Sequence, residues 1–207
     1  MITQIKYARQ IGSLLGYPFI NHESYEADDI LGMISKYAFD NDIDMIIASS
    51  DKDLYQLIND NVFIFSPRGK EIIDSTWLQE KYRLNASQWI EMKMLMGDPS
   101  DNIPGIGGIG EITAVRLLQQ YQTIDNIYNS LGQLKPSLRD ALQSGKEKLP
   151  LMRELVTIIT DYNIIHLQAS MLERNEVYAD ELFKVLEDLE LPSLHNVMEY
   201  SLLIDKL

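Results

Sequence analysis

Residues 96–110 read Met-Gly-Asp-Pro-Ser-Asp-Asn-Ile-Pro-Gly-Ile-Gly-Gly-Ile-Gly, and this stretch constrains the fold more than any other. Its glycines and prolines call for tight turns, so no regular helix runs through it. Helical spacing precedes it at 86–96, through Trp89, Ile90, Met92 and Leu95, and follows it at Ala114, Val115, Leu117, Leu118 and Tyr121. Two helices are therefore joined by a glycine-rich hairpin at 104–110. Backbone N–H groups in such a turn, at a helix N-terminus, form an anion site that takes a phosphate without reading a base. Just ahead of the hairpin, Asp98 and Asp101 present two carboxylates three residues apart, on either side of Pro99.

Two further acid clusters lie upstream. Residues 24–38 carry an apolar stripe at Ala27, Ile30, Leu31, Ile34 and Ala38, with Ser24 as the expected N-cap. Glu26, Asp28 and Asp29 crowd the first turn. Acids are favoured at helix N-termini, so one or two there are routine. Three, two of them adjacent, repel one another and point to a nearby cation. Residues 44–49 are a largely apolar run of strand length, which fits a buried parallel strand. Asp51 and Asp53 follow at its carboxyl end, at the mouth of the next helix, where open α/β sheets bind ligands. A lone Asp in that place is more often a cap than a ligand, but Asp-x-Asp favours metal.

The remaining elements follow from spacing. A helix at 2–15 ends at Gly16, with a short strand expected at 17–20. Strands are expected at 62–65 and 71–73, separated by a turn at Arg68, Gly69 and Lys70. Helices are expected at 76–83, 123–131, 136–142, 149–160, 180–188 and 193–203. The Met and Trp residues around 77–96 read as core rather than recognition surface. His22, His166 and His195 stand at no metal-ligand spacing from one another.

Composition narrows the chemistry. A chain of 207 residues with 45 % hydrophobic content folds as one large or two small globular domains. It has no cysteine, which excludes a disulfide framework and a thiolate metal site and suits a cytoplasmic setting. No apolar run reaches membrane-spanning length, and the first residues lack the form of a signal peptide. The net charge of −13 argues against coating DNA by bulk attraction. A local nucleic-acid site remains open, because divalent ions cancel the charge of the acids that bind them.

Seven carboxylates thus fall in three clusters: Glu26, Asp28 and Asp29; Asp51 and Asp53; Asp98 and Asp101. With no His–Cys set, the ion they suit is hard and oxygen-ligated, Mg²⁺ or Mn²⁺ in its place. Two such ions roughly 4 Å apart activate water and stabilise the leaving oxygen in phosphodiester hydrolysis. The same acids could serve a small-molecule phosphatase, but the hairpin extends the phosphate grip along a polymer.

The segments Tyr25-Glu-Ala-Asp-Asp29, Ser50-Asp-Lys-Asp53, residues 96–105 and Gly108-Ile-Gly-Glu-Ile-Thr-Ala114 together resemble the 5′ nuclease (flap endonuclease) family. The similarity is to the 5′–3′ exonuclease domain of bacterial DNA polymerase I and its stand-alone relatives. It implies an α/β, PIN-like parallel-sheet nuclease core at 1–95, then a helix–three-turn–helix DNA-binding element and helical region at 96–207. It also implies two divalent metals held or surrounded by Glu26, Asp28, Asp51, Asp53, Asp98 and Asp101, with Asp29 beside them. Asp28, Asp51, Asp53 and Asp98 are the catalytic candidates. The hairpin, through Gly105, Gly107, Gly108, Gly110, Thr113 and Arg116, is expected to bind duplex backbone non-specifically and to hold K⁺ by its carbonyls.

Two departures from the family pattern stand out. The family begins with a strand carrying a metal-binding aspartate and continues into a helical arch whose cations thread the 5′ strand; this sequence begins where the arch ends. The hairpin helix has Ile112 where the family usually has Lys, which removes one phosphate contact. The reading is therefore a metal-dependent nuclease acting on 5′ flaps, nicks or primer-bearing duplex. A separate polypeptide, or a homodimer, is the expected partner supplying or covering the missing strand. The competing reading is a remnant or half-protein that grips duplex DNA without cutting it.

Overall fold

The computed structural model describes residues 2–204, with side chains at 4–198. The chain divides into two units, Ser24–Ile165 and the pairing of residues 2–23 with 166–204.

The larger unit holds a three-stranded sheet in the order β1 (Met45–Ala48), β2 (Val62–Ser66), β3 (Glu71–Ile73). β1 and β2 are parallel, with Ile47 opposite Ile64, and β3 returns antiparallel, with Ile73 opposite Ile64. The turn expected at 68–70 forms, and Lys70 takes positive φ there. Ile47, Val62, Ile64 and Ile73 face the core. The reading of 44–49 as a fully buried strand is corrected: Ile46 is 64 % exposed, so β1 packs on one face only.

Helix α2 (Ala27–Asp40) precedes β1. Its N-cap is Glu26, not the expected Ser24, and the Glu26 N–H donates to Asp29 at 3.4 Å. Helix α3 (Ser75–Tyr82) is capped by Asp74, whose carboxylate accepts from the Trp77 N–H at 2.7 Å. Helix α4 (Ala86–Met96) buries Trp89, Met92 and Leu95, as expected of core residues. Trp89 packs between Tyr55, tilted against it, and Tyr82, edge to face, with ring centroids 5.0 and 5.1 Å away. Removing such a side chain costs ~3–5 kcal/mol.

Beyond the hairpin come α5 (Glu111–Tyr121), α6 (Ile124–Asn129), α7 (Pro136–Gly145) and α8 (Leu149–Val156). Helix α8 stops short of the expected Thr160. Residues 156–159 are a β-branched run, Val-Thr-Ile-Ile, which disfavours helix. Their backbone groups instead bond to side chains of the sheet-bearing part of the unit.

In the smaller unit, α1 (Ile2–Leu14) is ended by Gly16 at φ +79°, as the spacing predicts. The strand expected at 17–20 does not form. Pro18 lacks a donor, and Phe19 folds back to lie against Gly12 of α1. The backbone carbonyls of Leu14 and Gly16 accept from Tyr178 and Asn175. Helix α9 (Ala179–Asp188) buries Leu182 and Leu186, and α10 (Pro192–Ile204) sets His195 against Phe183 at 4.6 Å.

Candidate functional site

The acids converge from three elements of the larger unit. β1 leads into a 3₁₀ turn, Asp53–Leu57, where the sequence suggested a helix. Asp51 shapes this turn: its N–H donates to Ser49 Oγ at 3.0 Å, and its carboxylate accepts the Asp53 N–H at 2.9 Å. Asp98 sits just past Gly97, which closes α4 at φ +76°. Its backbone exchanges two hydrogen bonds with Ile103, at 2.9 and 2.8 Å, closing a turn that presents Asp101.

All seven candidate acids line one of two adjoining cavities of about 510 and 560 Å³. Glu26, Asp28, Asp53 and Asp101 are common to both; Asp29 and Asp98 line the first, and Asp51 the second. Among the described residues, Asp53, Asp98 and Asp101 come closest, each offering a carboxylate oxygen within 4.8 Å of the others. Glu26, Asp28 and Asp51 share the trough but do not join that tight group. Asp29 is already engaged, since its Oδ1 accepts the Ile159 N–H at 3.0 Å.

Electrostatics follow from this crowding. Burial pushes the Asp28 carboxyl up, and the charges of Asp51, Asp53, Glu26 and Asp29 push it further. Burial also raises Asp53, against the pull of Lys93. Asp98 is 7 % exposed, and burial works against its charge. Hydrogen bonds from Lys93 and Ser100 nevertheless hold it down at about 2. A carboxylate-only donor set with raised acids fits a hard divalent ion.

Sequence reasoning missed three contributors. Lys93 reaches from the last turn of α4 to ion-pair with both Asp53 and Asp98. Gln56 binds the backbone of Val156 and Ile158. Residues 154–159 form the wall of the first cavity. The signal for Lys93 was its position five residues before Asp98; nothing local marks Gln56 or the wall.

The hairpin is built in two halves. Its start is packed tightly: Ile106 N–H donates to Leu95 C=O at 2.9 Å, and Gly105 has φ +60°. A Cβ on Gly105 would lie 2.4 Å from the Gly97 nitrogen. Its tip is open, and a Cβ on Gly107, Gly108 or Gly110 would meet nothing within 4 Å. Ile106 and Ile109 anchor the loop from beneath, and Gly110 is the N-cap of α5. Arg116 is exposed on α5, Thr113 half-buried, and Ile112 is 78 % exposed. This surface offers backbone N–H groups and one cation, with room for a bulky anion.

Comparison with known proteins agrees with this geometry. Residues 1–83 match the family model of the 5′–3′ exonuclease N-terminal resolvase-like domain, and residues 84–180 that of the 5′–3′ exonuclease C-terminal SAM fold. The thermostable DNA polymerase I of Thermus thermophilus is 39 % identical over 191 residues, which is 92 % of this chain. The chain spans 22 % of that polymerase. A T5 5′-exonuclease with divalent zinc ions bound shares the fold at TM-score 0.60, with 24 % identity over 81 % of this chain and 61 % of that one. The catalytic core of Rad2 in complex with DNA substrate does so at TM-score 0.61, with 15 % identity over 91 % of this chain and 63 % of that one. The α/β core followed by a helical region is thus the PIN-like nuclease fold expected from the motifs.

Proposed function

Because this chain belongs to the 5′–3′ exonuclease family, we propose that it is a metal-dependent nuclease that hydrolyses phosphodiester bonds of 5′ flaps, nicked duplex or RNA primers in replication and repair. The observation that carries this reading is the convergence of Asp53, Asp98 and Asp101, from two separate elements, in a trough shared with Glu26, Asp28 and Asp51. An all-carboxylate donor set suits Mg²⁺, or Mn²⁺ in its place.

In this reading Asp53, Asp98 and Asp101 hold one ion, and Glu26, Asp28 and Asp51 the other, with Asp29 beside them. Bound ions of this kind supply activated water and stabilise a leaving oxygen. Asp28, Asp51, Asp53 and Asp98 carry the reaction as ligands. The nuclease core at 1–95 supplies the first two clusters, and the region 96–207 supplies the third and the duplex grip. Amides at the open tip, Gly107, Gly108 and Gly110, face the phosphates, with Thr113 and Arg116 on the adjoining helix and K⁺ on the hairpin carbonyls. Gly105, expected among them, is buried against Met96 and Gly97 and shapes the turn instead. Duplex is held by its backbone, without base readout.

β1 is paired on one side among the described residues, so its other edge suits a further strand from a separate polypeptide or a second copy. Among the described residues no helix is long and apolar enough to cross a membrane, and the lack of cysteine suits the cytoplasm. A second reading, duplex binding without cleavage, is favoured by Lys93, which satisfies Asp53 and Asp98 without an ion.

A 5′-labelled flap duplex incubated with the chain in Mn²⁺ separates the two. The nuclease reading expects short labelled products that vanish with EDTA and in the Asp51→Asn/Asp98→Asn double variant. Retained duplex binding with no products would favour the second. Products that persist in the double variant would remove these acids from the reaction.

A further inference from the structure

Lys93 stands in the last turn of α4 with its side chain 13 % exposed. Its ammonium is ion-paired to Asp53 Oδ1 and to Asp98 Oδ2. These are two of the three residues whose carboxylate oxygens crowd within 4.8 Å. Asp98 Oδ1 is taken by the Ser100 N–H at 2.9 Å and by the Ser100 hydroxyl, so Oδ2 is the oxygen turned to a cation, and Lys93 holds it. A half-buried ammonium between two carboxylates offsets the repulsion and desolvation they would otherwise bear. It also occupies the oxygen atoms that a divalent ion would need.

We propose that Lys93 is a built-in counter-ion of the Asp53, Asp98 and Asp101 group, which a divalent cation must displace, so that Lys93 sets the metal concentration at which this half of the site fills. The proposal rests on the metal-binding reading above. The Lys93 ammonium sits directly on Asp53 Oδ1 and Asp98 Oδ2, so a divalent ion ligated by those two atoms meets a like charge at contact range and competes with it for them. The lysine stem is flexible and the helix that bears it is not, so the ammonium swings while α4 stays. Gln88 fixes that helix by donating to the Gln122 carbonyl at 2.8 Å, and Glu91 fixes it by accepting the Ile124 N–H at 3.0 Å. The displaced ammonium remains in the cleft it already lines.

The test is Mn²⁺ binding to the metal-free chain without DNA, followed by the paramagnetic resonance signal of free Mn²⁺. Wild type is compared with Lys93→Met, Lys93→Gln, Lys93→Arg and Asp98→Asn. Lys93→Met and Lys93→Gln are expected to bind at least about tenfold more tightly, and Lys93→Arg, which keeps the cation, to stay near wild type. The melting temperature of metal-free Lys93→Met is expected to fall, and Mn²⁺ to raise it by more than it raises wild type. Unchanged or weaker affinity in both neutral variants, with wild type and not Asp98→Asn binding, overturns the counter-ion proposal alone. Absence of Mn²⁺ binding in wild type and in every Lys93 variant overturns the metal reading, and the proposal with it.

Discussion

Gln56 and Ile158 are 102 residues apart in sequence and joined by a hydrogen bond: the Ile158 N–H donates to Gln56 Oε1 at 3.0 Å. The same amide returns a bond, Gln56 Nε2 to the Val156 carbonyl, at 3.0 Å. One side chain therefore imitates a step of a β-ladder. It holds the end of α8 against the acid-bearing part of the unit, and Asp29 extends the clamp to the Ile159 N–H. The wall of the acid-lined cleft is thus held by the side chains of Gln56 and Asp29, which lie across from it.

Gln56→Leu removes both bonds and leaves a backbone donor and acceptor unpaired. A loss of ~1–3 kcal/mol is expected from urea denaturation. Amide exchange should rise at 158 and 159 more than in the sheet. Unchanged protection at those amides would mean that the wall is held by packing alone.

Gly32 is the second support of the wall. A Cβ there would lie 2.5 Å from the Ile159 carbonyl oxygen and 2.5 Å from Ile158 Cγ2. A backbone oxygen cannot yield as a flexible side chain does, so Gly32→Ala must push the wall off α2. A cost of ~1–3 kcal/mol and weaker Mn²⁺ binding are expected together. Normal stability and normal metal affinity in this variant would contradict the packing role.

Acid pH separates Asp98 from Asp28 and Asp53. The Asp98 carboxyl is held at about 2, below its unfolded value, so its contribution is full above about 4 and is lost as pH falls toward 2. That contribution is ~2 kcal/mol. Wild type should therefore lose its stability advantage over Asp98→Asn between pH 5 and 2.5. Asp28 and Asp53 are raised, so they favour the folded state at low pH and lose that contribution as pH rises through their folded values. Asp53→Asn should gain on wild type as pH rises above about 4, whereas parallel curves for the two variants would refute the opposite signs.

The open hairpin tip predicts an effect on binding without one on folding. A side chain at Gly107 meets nothing within 4 Å, and its φ is not positive. Gly107→Val should change stability by no more than ~0.5 kcal/mol. It should weaken duplex affinity several-fold, equally for unrelated sequences, as measured by fluorescence anisotropy. Equal affinity would place the duplex elsewhere.

Much of this was legible in the chain itself. The glycine run announced the hairpin because only glycine tolerates Gly105 at positive φ against the Gly97 nitrogen. The acid clusters announced the trough because each sits at an element boundary. Asp29 is expected beside the metals and lines the trough, but the bond its Oδ1 accepts from Ile159, 130 residues away, is not foreseen. No local pattern reveals a partner that distant. Lys93 was passed over because a single lysine at a helix end is ordinary, and its meaning arises only when Asp53 and Asp98 meet around it. The strand expected at 17–20 was lost to Phe19, whose ring found Gly12.

The most direct measurement is anomalous diffraction from crystals of the chain soaked in Mn²⁺. The account predicts a manganese peak ligated by Asp53, Asp98 and Asp101, with the Lys93 ammonium turned away from both carboxylates. Manganese bound elsewhere, with Lys93 still paired to Asp53 and Asp98 at saturating metal, would contradict it.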